Sequence, residues 1–313
     1  SASITASKEV HFKYPSIPDT HSFKFNDINS VKEKISSFRK TSGGSDIYAI
    51  IIEPFSAGSI RSCSTEFLQE LQKICNENNI VLIFDEIYVG WYKTGNRFNF
   101  MDHDVIPDIL TTSKSLGGGK SSISAYVCRE PILKKAYGNV RDATLHTTTY
   151  NGMGEECITA LDAINIMEEE NYREKSLRIE KTTKIRCEKL MEKFGDQIIE
   201  CRGSGGLHGI FLKTEKTFLT TLLKLLPLEM NKDTNFLSKL IVASLADWMY
   251  HHKKIYALFS NADEIAFLFT PSLIMEDNEI NYFFDSIEDA FNIGIRKIIT
   301  EFISKQFSKT IHG

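Results

Sequence analysis

Two chemically active side chains, Asp85 and Lys114, each stand at the end of a short apolar segment. The uninterrupted apolar run Ile80–Phe84 predicts a strand that is buried on both faces and ends in Asp85. A second short strand is predicted over Ile109–Thr112, and it leads to Lys114 on a turn closed by the glycines 117–119. Because open α/β sheets bind ligands at the carboxyl ends of their strands, we expect the acid and the amine to meet in one crevice.

An acid and an amine in one crevice suit the chemistry of pyridoxal phosphate (PLP). That cofactor needs a lysine to hold its aldehyde as a Schiff base, and a carboxylate to keep its pyridine nitrogen protonated. Lys114 and Asp85 fit these two roles. In an extended chain Ile87 points to the same face as Asp85 and would pack on the ring, while Tyr88 brings a phenol near its 3-oxygen. The four residues form one coherent prediction of a cofactor site.

Four segments of the sequence resemble the class III aminotransferases in their order and spacing. They are IIEPFSAG (Ile51–Gly58), LIFDEIYVGWYKTG (Leu82–Gly95), PDILTTSKSLGGG (Pro107–Gly119) and HTTTYNG (His146–Gly152). The resemblance implies that Lys114 is the Schiff-base lysine and that Asp85 is the partner of the pyridine nitrogen. It also implies that Thr149 takes the place of a threonine that binds the cofactor phosphate of the neighbouring subunit. Glu53 corresponds to a glutamate near the cofactor, with a structural role in a turn as an equal alternative.

The same resemblance implies the PLP-dependent fold type I, in which an α/β large domain has a mostly parallel sheet. We expect that domain over residues 1–172 and a smaller C-terminal α+β domain over residues 173–313. The residue pattern agrees, because a strand over Ile47–Glu53, a helix over Thr65–Asn78 and the Asp85 strand make a βαβ unit. Such a unit requires parallel strands. After residue 173 the predicted strands and helices are segregated, as in α+β domains.

The sequence departs from the family pattern at two points. It begins about where family members are already one third through, so we expect a large domain that is truncated at its N-terminus. In FLFTPSL, Leu268 stands where many family members have an arginine that binds an amino-acid carboxylate. Recognition of a substrate carboxylate is therefore open.

The predicted activity is ping-pong transfer of an amino group between an amine or amino acid and an oxo acid or aldehyde. The rival activities are those of an aminomutase or a racemase of the same fold, and a further rival is a catalytically inactive interaction subunit. If Thr149 serves the phosphate across a subunit boundary, the working unit is a two-fold homodimer. The aromatic loop Trp91–Phe100 is expected to take part in that contact, with a monomer as the alternative.

Composition excludes several other classes of protein. The chain has 313 residues, 42% of them apolar and 25% charged, and this is an ordinary globular mixture. Its net charge of -4 without a basic stripe argues against binding to nucleic acid. The segment GGGKSS is not a nucleotide phosphate loop, because that motif needs glycine at position 114.

The cysteines and the hydropathy pattern predict a cytoplasmic location. Six cysteines are scattered without a CxxC pair, which suits a reducing compartment. No apolar run is long enough to span a membrane, and the polar start is not a signal peptide. His103 stands between Asp102 and Asp104, but three adjacent residues cannot all face one ion, so no metal site is predicted.

Overall fold

The computed structural model describes residues 17–39, 44–142, 144–213, 235–260, 262 and 264–312. These residues form two compact units. The first unit comprises the residues up to Ala57 together with Arg61–Glu174, and the second comprises Gly58–Ile60 and the residues from Lys175 onward. The first unit thus ends at Glu174, three residues of an early loop join the second unit, and the domain boundary at residue 172 stays a prediction.

The first unit contains a four-stranded sheet in the order β1-β4-β5-β6. Its strands are β1 (Ala49–Ile52), β4 (Val81–Asp85), β5 (Ile109–Thr112) and β6 (Ala125–Cys128), while β2 (Phe55–Ser56) and β3 (Arg61–Ser62) pair separately. The pairs β1/β4 and β4/β5 are parallel, and β5/β6 is antiparallel. The prediction of a mostly parallel sheet is confirmed.

Four α-helices lie within the first unit, and the one predicted over Thr65–Asn78 has the predicted bounds. They are α1 (Ile28–Ser37), α2 (Thr65–Asn78), α3 (Glu130–Tyr137) and α4 (Gly154–Glu169), with 3-10 turns at Asn99–Asp102, Lys114–Gly117 and Val140–Asp142. Helix α2 begins where the Ser64 hydroxyl accepts a hydrogen bond from the N–H of Phe67 at 3.2 Å, and it ends at Asn79 in the left-handed conformation. It connects β1 to the parallel β4, so the predicted βαβ unit is present.

Burial of β4 on both faces was predicted, and it is wrong for one face. Leu82 and Phe84 are buried, whereas Val81, Ile83 and Asp85 are half-buried. This alternation shows that one face of the strand packs against the core of the unit while the other stays partly open to solvent.

The second unit is an α+β domain, as predicted. Helix α5 (Tyr172–Phe194) begins in the first unit and leads into an antiparallel sheet of order β7-β8-β10-β9. The strands are β7 (Ile198–Ser204), β8 (Leu207–Leu212), β9 (Leu258–Phe259) and β10 (Ala266–Phe269), and the helices that follow α5 are α6 (Phe236–Trp248), α7 (Asp277–Ile293) and α8 (Ile295–His312). One turn of π-helix, Met249–Lys253, extends α6.

The last two helices, α7 and α8, are separated at Gly294. That glycine has a φ of 98°, which an L side chain would rarely adopt, so the chain changes direction there at little cost. Within the described residues, none of the helices combines the length and the apolar character needed to cross a lipid bilayer.

Candidate active site

Three parallel strands of the first unit end side by side, and each is followed by a residue predicted for the site. Glu53 comes one residue after β1, Asp85 ends β4, and Lys114 comes two residues after β5. The registers pair Ile52 with Phe84 and Asp85 with Thr111, so these ends lie at one edge of the sheet. Parallel pairing thus brings together side chains that are far apart in sequence.

The charges of these groups influence one another. The pKa of Glu53 is raised, chiefly because its carboxyl is partly removed from water even though the side chain as a whole is exposed. A hydrogen bond of 2.7 Å from the N–H of Ala57 opposes that rise. The negative charge of Asp85 raises the pKa further, and the positive charge of Lys114 lowers it. The carboxyl of Glu53 therefore lies within electrostatic reach of both predicted catalytic residues.

Lys114 has an unusual backbone conformation for a lysine. Its φ is 44°, in the left-handed region, and it opens the 3-10 turn that ends at Gly117. The preceding Ser113 donates a hydrogen bond to the carbonyl of Ile123 at 2.9 Å, which holds the turn. The amine of Lys114 lies 4.8 Å from the centre of the Tyr88 ring, within the range of a cation–π contact. The turn thus presents the amine at the edge where Asp85 ends β4.

The position of Ile87 corrects one step of the sequence prediction. We expected an extended chain to carry Ile87 on the same face as Asp85, but β4 ends at Asp85 and residues 87–90 form a turn. The N–H of Ile87 instead donates a hydrogen bond to Oδ1 of Asp85 at 3.0 Å. The carboxylate closes the turn by accepting this bond, so the extended-chain argument fails. A contact of Ile87 with the cofactor ring stays a prediction.

The structure adds one residue that the site prediction missed, Glu86. Its side chain is fully buried, and its two carboxyl oxygens accept hydrogen bonds from the N–H groups of Asn99 at 2.6 Å and Phe100 at 2.9 Å. Burial raises its pKa to about 7 against the opposing effect of these two bonds. A signal was present in the sequence, because Glu86 continues the alternation of Leu82 and Phe84 that faces the core.

The aromatic loop Trp91–Phe100 packs within its own unit, and its expected part in a dimer contact stays a prediction. Trp91, Tyr92 and Phe98 are buried. The indole N–H of Trp91 donates to the hydroxyl of Thr112 at 2.7 Å, and the hydroxyl of Tyr92 donates to Glu168 on α4. Long-range contacts of this kind are not visible in the local sequence pattern.

Thr149 occupies an exposed turn before α4. Its neighbours Leu145 and Tyr150 are 70% and 74% exposed, so apolar side chains flank the hydroxyl at the surface. The structure does not place Thr149 among the groups at the strand ends. Its predicted role as the phosphate ligand of a neighbouring subunit stays a prediction.

The residues at the strand ends fit the ring end of PLP. They include an amine, a carboxylate and a phenol, which are the groups that the aldehyde, the ring nitrogen and the 3-oxygen require. In addition, the hydroxyl oxygen of Thr111 is buried and has no hydrogen-bond partner among the described residues, and it lies in register with Asp85. The residue in register with Asp85 therefore carries a buried polar atom that the described residues leave unsatisfied.

Comparisons with known proteins agree with this arrangement. The family model for class III aminotransferases matches residues 2–291. The chain is 37% identical over 202 residues to the acetylornithine aminotransferase of Methanocaldococcus jannaschii, covering 64% of this chain and 47% of that protein. It is 32% identical over 203 residues to the putrescine aminotransferase of Pectobacterium atrosepticum, covering 64% of this chain and 42% of that protein.

The fold is that of solved transaminases. A transaminase from the marine bacterium Virgibacillus superposes with a TM-score of 0.76 at 20% identity, covering 96% of this chain and 65% of that chain. The predicted fold type I is confirmed by this likeness. The matched region spans less than half the length of the two relatives. The family match over nearly the whole sequence, together with the lysine and carboxylate at neighbouring strand ends, shows that the chain belongs to the class III aminotransferases.

Proposed function

We propose that this chain carries out PLP-dependent transfer of an amino group between an amine or amino acid and an oxo acid or aldehyde. The observation that carries the proposal is the amine of Lys114, which lies over the Tyr88 ring and acts electrostatically on Glu53 together with Asp85. When bound, PLP supplies a ring that stabilises negative charge on the substrate carbon. Every other function in the reaction falls to side chains of the protein.

Each of the gathered residues has a distinct task in this proposal. Lys114 would hold the aldehyde carbon covalently, and its amine Nζ would move a proton at the substrate carbon. Asp85 holds a positive charge at the ring nitrogen. Tyr88 offers its hydroxyl to the 3-oxygen, and Glu53, with its raised pKa, lies beside both charged groups.

The first test is chemical labelling of Lys114. The protein is incubated with PLP, reduced with borohydride and mapped by peptide mass, and we expect the label on Lys114. Lys114→Ala should remove the label completely, because the lysine is the only covalent anchor in the proposal. Lys120→Ala is the matched control, since Lys120 is also an exposed lysine just after the glycine turn, and it should keep the label. A label on Lys120 in the unmodified protein would contradict the assignment.

For the substrates, only the chemical class of the amino donor can be proposed. The two relatives are named for acetylornithine and putrescine, both of which carry a primary amine. We infer that a primary amine of this kind is the donor. Residue 268 supplies no guanidinium for a carboxylate, because it is a leucine buried in β10. Assays with a diamine and with the matching amino acid therefore compare a donor without a carboxylate with one that has it.

The rival activities differ from transamination in what they produce. An aminomutase or racemase returns one rearranged or inverted product and consumes no oxo acid, so oxo-acid consumption distinguishes it. A catalytically inactive subunit would show neither turnover nor the visible absorbance of lysine-bound PLP. Transamination requires both signals.

We infer a homodimer as the working assembly. The support is the exposed apolar surface around Thr149, where Leu145 and Tyr150 are followed on α4 by Ile158 and Leu161 with 62% and 59% exposure. Monomers rarely leave so many large apolar side chains in one region uncovered. Sedimentation with and without PLP tests the assembly, and Thr149→Ala should weaken PLP binding. A monomer that binds PLP equally well with Thr149→Ala would contradict it.

We further infer a cytoplasmic location and small-molecule partners. All six cysteines are free thiols, as expected of a reducing compartment. The net charge of -4 argues against binding to nucleic acid. Fractionation of cells that express the tagged chain tests the location.

A further inference from the structure

Glu86 joins three parts of the first unit. Its N–H donates to the carbonyl of Thr111 on β5 at 3.0 Å, and its own carbonyl accepts from the N–H of Gly90 at 3.0 Å. Its carboxyl accepts from Asn99 and Phe100 at the start of the 3-10 turn Asn99–Asp102. A single buried residue therefore ties together the end of β4, the neighbouring strand and the aromatic loop.

The joint is tightly packed as well as hydrogen-bonded. A Cβ added at Gly90 would lie 2.8 Å from the carbonyl oxygen of Glu86 and about 3 Å from the ring of Phe98. The rings of Phe84, near the end of β4, and of Phe100 lie 6.3 Å apart, so the strand before Glu86 also contacts the loop. The turn 87–90 is thus enclosed between Glu86 and the loop, and this turn donates the N–H of Ile87 to Asp85.

We propose that Glu86 is the positioning residue for Asp85, because its carboxyl holds the aromatic loop against the turn whose N–H fixes the Asp85 carboxylate. The loop then restricts the movement of this turn. The charged groups that act on Glu86 are Asp102 at the end of the 3-10 turn and Asp85, and both oppose its ionisation. Any cation that binds Asp85 relieves part of that repulsion, so occupancy of the site and the charge of Glu86 are linked.

The effect on cofactor affinity rests on the proposed function, whereas the effect on the turn does not. Glu86→Gln keeps the shape of the side chain but replaces one acceptor oxygen with an N–H₂ group that cannot accept from a backbone N–H. We expect faster amide exchange at Asn99, Phe100 and Ile87, by tenfold or more, and PLP binding weakened by on the order of tenfold. The matched control is Glu77→Gln, the same change on an exposed residue of α2, which should alter neither quantity.

The pH profile separates positioning from simple loss of stability. In the wild type, the protection of the Asn99 and Phe100 amides should change with the titration of Glu86, and in Glu86→Gln that change should vanish. If Glu86→Gln does not fold, Asn99→Pro is the second variant. It removes the backbone N–H of residue 99, which is one of the two donors to the Glu86 carboxyl. Phe98 already has the extended backbone, φ -131° and ψ 145°, that a residue before proline requires.

Two results would decide against the proposal. The first is faster exchange at Asn99 and Phe100 with an unchanged Ile87 amide, which would make Glu86 a support of the loop alone. The second is unchanged PLP affinity in Glu86→Gln while the wild type binds PLP. If the wild type binds no PLP, the proposed function fails, but exchange at Ile87 still decides the role of Glu86.

Discussion

The two units bury their apolar side chains to different extents. In the second unit every residue of β8 and β10 is buried, and Phe267, Phe269, Phe283 and Phe284 form one aromatic cluster. In the first unit the edge strand β6 is exposed along most of its length, and α4 presents large apolar residues to solvent. The second unit thus buries the central strands of its sheet, whereas the first unit leaves an apolar surface exposed on β6 and α4. We infer that this surface serves contacts rather than stability.

Each unit contains one of the two tryptophans, so their stabilities can be measured separately. Trp91 is buried in the first unit and Trp248 in the second. A Trp91→Phe background reports urea unfolding of the second unit through Trp248, and a Trp248→Phe background reports the first unit through Trp91.

The largest expected effect is on the aromatic cluster of the second unit. Phe284 is fully buried, with ring centres of Phe283 and Phe269 at 5.4 and 5.5 Å. Phe284→Ala should lower the free energy of unfolding by about 3–5 kcal/mol, because it leaves a cavity. The control is Ile106→Ala in the first unit, where the side chain is 62% exposed and the change should be under about 0.5 kcal/mol. Equal losses at both positions would remove the contrast between the units.

The next effect is a pH dependence confined to the first unit. The pKa of Glu86 is about 7 in the folded protein and about 4.5 when it is unfolded. Between these two pH values the folded state therefore holds a proton that the unfolded state has lost. The stabilisation from this proton is complete below pH 4.5 and disappears as the pH rises through 7. The loss amounts to about 3 kcal/mol. The raised pKa of Glu53 acts in the same direction.

Urea unfolding at pH 5 and pH 8, followed through Trp91, measures this loss. Glu86→Gln should remove most of the pH dependence of the free energy of unfolding, because the amide does not titrate. Glu77→Gln should leave this pH dependence unchanged. A first unit that is more stable at pH 8 than at pH 5 would show that the two N–H bonds outweigh the burial of Glu86.

The smallest effect concerns the start of α2. Ser64 accepts the hydrogen bond that caps this helix, and Ser64→Ala should cost the first unit about 1 kcal/mol. Ser64→Asp keeps an acceptor at the same place and should retain most of the stability. No difference between these two variants would mean that water replaces the cap.

The sequence by itself determined the strands, the helix α2 and the gathering of Asp85 and Lys114. These features follow from local patterns, because apolar runs, a capping serine and a glycine turn specify strand, helix and turn over a few residues. The βαβ order then requires parallel neighbours, and parallel neighbours place Glu53, Asp85 and Lys114 at one edge. The family resemblance added the cofactor and the class of reaction.

Only the tertiary structure decided the paths of the segments between those elements. The burial of Glu86 and the inward packing of Trp91 and Tyr92 depend on partners that are distant in sequence, such as Thr112 for Trp91 and Glu168 for Tyr92. The sequence pattern of a loop rich in aromatic residues does not distinguish packing against its own unit from packing against a neighbouring subunit. The choice depends on which surface offers buried partners for its polar atoms, and that surface exists only once the sheet and α4 have assembled.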